Sequence, residues 1–206
     1  MPNDKHKVFI SYHHANDQQY KDALLKANER FDLFLDASVD VGDIDENLDD
    51  KTIRRIIRDD YLKDSTVTIV LVGTETKYRK HVDWEIYSSM YDGAVNKKSG
   101  VLVINLPTIG CSNYTAAHGD TEKQIVYPST TNWLTITSRA DYERRYPYMP
   151  DRIIDNLLRT GASVSVTNWD TFSNDVEKLR LLINVTFEDR TSCDYDLSRA
   201  MRRANG

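Results

Sequence analysis

The run Thr66-Val-Thr-Ile-Val-Leu-Val-Gly73 limits what this chain can fold into more than any other segment. It is near-continuously apolar and β-branched, yet far short of the ~20 residues that span a membrane. Such a run fits a central strand covered on both faces, as in a parallel sheet wrapped by helices. A strand of that kind needs neighbours, and the flanking sequence offers them. Val8-Phe-Ile-Ser-Tyr12 reads as a first buried strand, Phe31 to Leu35 as a second, and Val101-Leu-Val-Ile-Asn105 as a fourth.

Helical patterns fall between these runs. Asp17 is a plausible cap for a helix reaching about Glu29. Thr52 to Tyr61 carries Ile53, Ile56 and Ile57 on one face and arginines on the other, and a third helix runs from Lys80 to Asp92. The order βαβαβαβ predicts an α/β fold with a parallel sheet and helices on both sides. Seven acids within fifteen residues, Asp36 to Asp50, point to a solvated loop after the second strand.

Beyond Pro107 the alternation breaks. Residues 107–145 hold clusters of glycine, proline, serine and asparagine, with Trp133 to Thr137 as the one strand candidate. A structureless loop that long is unusual in a compact domain, so it reads as an insertion after the fourth strand that shapes or covers a site. Helix Pro150 to Arg159, strand Ser163 to Thr167 and helix Thr171 to Ile183 then resume the pattern. The expected organisation is one domain over residues 1–188, then a tail, 189–206, that is a short basic helix or disordered.

The net charge of −5 argues against nonspecific nucleic-acid or anionic-membrane binding. Cys111 and Cys193 match no zinc or CxxC spacing, which suits free thiols in a cytosolic chain. The polar start, Met1 to His6, has no signal-peptide core, and the expected location is the cytoplasm.

The candidate chemistry gathers where the strands end, because open α/β sheets bind ligands beyond the carboxyl ends of their strands. Val82, Ile86 and Met90 form one apolar stripe, and Glu85 falls at its edge, where a side chain can leave the core for a cleft. The alternative is a solvated helix-face glutamate paired with Arg79 or Lys80. His13-His14 follows the first strand and suits phosphate binding or proton transfer, or else an exposed loop. Asp36 and Asp40 follow the second strand, where an acid commonly holds ribose hydroxyls, or are simply two acids of an acidic loop. No metal site is expected: His6, His81 and His118 show no ligand spacing. There is no GxGxxG or GxxxxGK[ST] cradle and no GxSxG or Cys-His signature of acyl transfer.

Taken together, these segments resemble a TIR domain, most closely the TIR-like subunit of bacterial Thoeris anti-phage systems. The matching pieces are Lys7-Val-Phe-Ile-Ser-Tyr-His13, Phe34-Leu-Asp-Ala-Ser38, Ser65 to Thr76, His81-Val-Asp-Trp-Glu-Ile86 and Val101 to Asn105. The resemblance implies a flavodoxin-like, TIR-like α/β fold and carries the family's catalytic glutamate onto Glu85. The family's usual tryptophan, four residues before that glutamate, is His81 here, and Trp84 stands beside the acid instead. By resemblance, Phe9, Ser11, Tyr12 and His13 line the site from strand one, Asp36 and Ser38 from strand two, and Asn105 from strand four.

The implied activity is cleavage of the nicotinamide–ribose bond of NAD, with NAD as substrate and no cofactor. The expected product is an ADP-ribose-derived signal, a cyclic isomer, that activates a separate effector protein. A phage trigger protein and self-association are further expected partners, with neither nucleic acid nor membrane. Two other readings compete. One is a non-catalytic TIR-type scaffold acting by self-association. The other is a receiver with Asp36 as phosphoacceptor, which would need an acidic pair where His13-His14 stands and a late lysine that is not evident.

Overall fold

The computed structural model describes residues 5–37 and 48–206. Ser38, Asp40 and the acidic stretch through Glu46 lie outside the described residues. The elements, in chain order, are β1 (Lys7–Ser11), α1 (His14–Phe31), β2 (Leu35–Asp36), α2 (Asp50–Ile56), β3 (Val67–Val72), α3 (Lys80–Met90) and β4 (Gly100–Asn105). Then follow α4 (Gly119–Val126), α5 (Arg139–Arg145), α6 (Asp151–Leu158), β5 (Val164–Asn168), α7 (Trp169–Ser173) and α8 (Val176–Asp189).

The five strands form one parallel sheet in the order β2-β1-β3-β4-β5, the flavodoxin-like order of an α/β fold. All six residues of β3 are buried. Successive side chains on a strand point to opposite faces, and the core divides accordingly. Val67, Ile69 and Leu71 join Val8, Ile10, Leu102 and Ile104 in a cluster with α1 and α8. Val70 and Val72 join Val101, Val103, Val164 and Val166 in a cluster with α3 and α6. A third cluster packs Phe9 and Trp84 against Ile53 and Ile57. No helix is long and apolar enough to cross a membrane among the described residues.

Several local expectations are corrected. Asp17 caps nothing: α1 starts at once after β1 with His13 as its N-cap, and Asp17 turns inward, 1% exposed. There Thr76 Oγ1 donates to Asp17 Oδ2 at 3.4 Å. A Cβ at Gly73 would lie 2.5 Å from the Asp17 carboxylate, so only glycine lets α1 approach this closely. The second strand keeps just Leu35–Asp36 at the sheet edge. The helix read as Thr52 to Tyr61 ends at Ile56 and continues as a π turn, Ile57–Tyr61, which swings Arg58 off the solvent face to 2% exposure.

The segment after β4 contains α4 and α5 in place of unbroken loop. Trp133 to Thr137 forms no strand; Trp133 instead meets the edges of the Tyr114 and Tyr127 rings at 6.0 and 5.9 Å. The last helix divides into α7 and α8. The C-terminal segment forms no helix and packs on α3, burying Cys193 and Met201.

Candidate active site at the carboxyl end of the sheet

The strand order reverses direction between β1 and β3, and such a switch point is where open α/β sheets hold ligands. Ser11, the last residue of β1, lies there at 0% exposure, opposite Val70 of β3. Glu85, one and a half turns into α3, faces it across the helix–sheet interface. Ser11 Oγ donates to Glu85 Oε2 at 2.6 Å. Glu85 is 3% exposed. Burial pushes its carboxyl from 4.5 up to about 8, against the opposing pull of the Ser11 hydroxyl. The solvated helix-face reading therefore fails, and Arg79 is engaged elsewhere, donating to Glu75 Oε2 at 2.8 Å.

The apolar stripe explains only one side of α3. Nine of its eleven residues are buried, because the C-terminal segment lies over the rest. Trp84 is fully buried and its Nε1–H donates to the Arg202 carbonyl at 2.8 Å. Arg152 grips Asp83 with two parallel bonds of 2.9 and 3.0 Å and donates a third to the Arg199 carbonyl at 2.9 Å. The Lys80 amide, at the helix start, donates to Asn205 Oδ1 at 3.0 Å. His81 meets Trp84 edge to face at 5.0 Å. Glu85 thus sits on a helix fixed from both sides, the condition for a preorganised charge.

The other candidate residues are distributed unevenly. His13, two residues past Ser11, is partly buried; its Nδ1 is enclosed without a hydrogen-bond partner among the described residues. Burial and then the nearby Arg79 charge lower its pKa. Phe9 shares a β1 face with Ser11 but lies inside the apolar cluster with Trp84. Tyr12 lies on the opposite face, its hydroxyl donating to Gln18 Oε1 at 2.6 Å and its ring stacked on His14 at 4.4 Å. Asp36 is in register with Val8, three residues short of Ser11, or roughly 10 Å along the strands.

Asn105 ends β4, two strands away from β1. Its Nδ2 donates to Asn168 Oδ1 at 3.1 Å and to the Asn113 carbonyl at 3.2 Å. It borders a separate cavity of about 510 Å³ with Cys111, Asn168, Trp169 and Asp170. The structure therefore joins Ser11 to Glu85, leaves His13 beside them, and sets Asp36 and Asn105 apart. Asn168 went unread in the sequence; asparagines closing two neighbouring strands were the available signal.

Residues 9–109 match the family described as Thoeris protein ThsB, TIR-like domain. That stretch runs from β1 to just past β4 and includes Ser11 and Glu85. No curated protein matches the chain. Residues 9–109, just under half of the chain, form a TIR-like domain of the Thoeris ThsB family.

Proposed function

We propose that this protein cleaves the nicotinamide–ribose bond of NAD, with Glu85 as the catalytic carboxylate, and releases an ADP-ribose-derived signal that activates a separate effector. One observation carries this reading: in a TIR-like frame, Glu85 is buried at the strand-order switch and bonded to Ser11. The nicotinamide of NAD is already cationic and departs as a neutral molecule. No general acid is needed, unlike in glycosidases with paired carboxylates. What the reaction must stabilise is positive charge growing on the ribose. An ionised Glu85 facing that sugar and accepting from its hydroxyls does so, and Ser11 holds one carboxylate oxygen in place.

In the free protein at neutral pH, Glu85 is mostly protonated. A cationic nicotinamide brought against it favours the ionised form, so substrate binding expels a proton. The cleaved anomeric carbon then takes water, giving ADP-ribose, or a nucleophile of the same bound molecule, giving a cyclic isomer. Holding that nucleophile close and excluding water favours the cyclic product. The insertion 107–145 is the candidate cover.

Nicotinamide release from NAD by purified wild type and Glu85→Gln is the test. Loss of release in the variant supports the reading; equal turnover removes Glu85 from the mechanism. The near-complete enclosure of Glu85 favours a second reading, a scaffold acting by self-association. It predicts that Glu85→Gln leaves phage protection intact while substitutions on exposed helix faces abolish it.

A further inference from the structure

We propose that the cavity at the amino-terminal edge of the sheet is a binding site for a small phosphorylated molecule, separate from the Glu85 site. The cavity, open to solvent, holds about 610 Å³. Six cationic side chains border it; Lys5, Lys7 and Lys97 pair with Asp32, Asp64 and Asp92, while Arg58, Lys98 and Arg190 form no salt bridge among the described residues. The whole chain carries −5, so three cations without salt bridges at one cavity run against the molecule's own balance. Concave walls of one sign focus the field and draw in the opposite charge.

Arg58 is the strongest argument. It is 2% exposed, yet its guanidinium meets neutral oxygens: Nε–H donates to the Asn96 carbonyl at 3.4 Å and Nη1 to Ser99 Oγ at 3.2 Å. Among the described residues no carboxylate forms a salt bridge with it. The Asp59 and Asp92 charges favour its ionised form without bonding it, and a buried guanidinium is normally paired directly. The π turn that aims Arg58 inward is a rare geometry that recurs at functional sites. Arg190, too, forms no salt bridge among the described residues. It lies over the Phe187 ring at 3.5 Å, and that ring stacks on His6 at 3.8 Å. Two guanidiniums that no carboxylate bonds, at one cavity, suit the paired oxygens of phosphate, which arginine binds through parallel bonds. The net charge of −5 favours a small anion over a nucleic-acid strand, which needs a broadly basic surface. Lys7 at this cavity stands four residues, or roughly 13 Å along β1, from Ser11 beside Glu85.

The test is calorimetric titration of the full chain with sodium pyrophosphate and, separately, with ADP. Saturable binding of either is expected. Arg58→Gln and Arg190→Gln should each weaken it about tenfold, the loss of one charge-assisted contact. Glu85→Gln should bind as wild type. ADP tighter than pyrophosphate identifies a nucleotide site; equal affinities identify a phosphate site. Arg190 lies at the rim, so its variant stands as the test should Arg58→Gln fail to fold. No saturable heat from either probe, or undiminished binding by Arg190→Gln, overturns the proposal, as does binding of an acidic peptide in preference to both.

Discussion

Glu85 and Arg58 are buried to nearly the same degree, 3% and 2% exposed, near opposite ends of the parallel sheet, and neither forms an ion pair among the described residues. The protein accommodates them differently. Glu85 can give up its charge, because burial moves its titration to about 8 and one hydroxyl suffices as a partner. Arg58, even pushed down to about 10, stays charged at neutral pH and depends on oxygens around it. A buried acid is adjustable and suits a step that needs charge only when a cation arrives. A buried guanidinium is permanent and suits standing affinity for an anion.

A third buried charge, Arg152, breaks the comparison usefully, because it has its partner in Asp83. Arg152→Met strands Asp83 and frees the C-terminal segment from α3. It should cost about 3–5 kcal/mol in urea unfolding, the scale of a broken buried pair. Arg58→Gln removes no carboxylate's partner and should cost far less on the same measurement. The next effect is catalytic: Glu85→Gln should slow nicotinamide release about a hundred- to a thousandfold, as for loss of one preorganised electrostatic contact.

Stability against pH separates the two charges more finely. Glu85 titrates higher in the fold than its ordinary 4.5, so the fold has its full stability below that value and loses it as pH rises toward about 8. Glu85→Gln should gain on wild type by about 1.4 kcal/mol per pH unit across this window, reaching about 3 kcal/mol at neutral pH. Arg58→Gln should differ from wild type by a constant amount over the same range, since Arg58 does not titrate there. Parallel curves for both variants would contradict the contrast. The smallest expected effect is a shift. The pH profile of kcat/KM, which reports the free enzyme, should rise through an inflection near 8. Ser11→Ala, which removes the hydroxyl that favours the ionised form, should move that inflection up by less than about one unit.

The reasons some of this was legible in the sequence are local. β1, β3 and β4 are short apolar runs whose type needs no tertiary information, and Glu85 follows β3 on a helix with a clear stripe. Its burial was not legible, since it faces Ser11 across the helix–sheet interface, 74 residues away along the chain. Arg58 was misplaced on a solvated face because an ideal 3.6-residue turn puts it there, and the π turn does not. Asp17 has the residue type of a cap, but its position is set by Gly73 on another element. Asn105 was singled out, yet its pairing with Asn168 depends on β5 lying beside β4.

The most direct measurement is mass spectrometry of nucleotides from phage-infected cells carrying the wild-type protein or Glu85→Gln at equal abundance. Nicotinamide and an ADP-ribose-derived species that accumulate only with the wild type are the predicted result. The same species at the same level in both cell lines would contradict a catalytic Glu85.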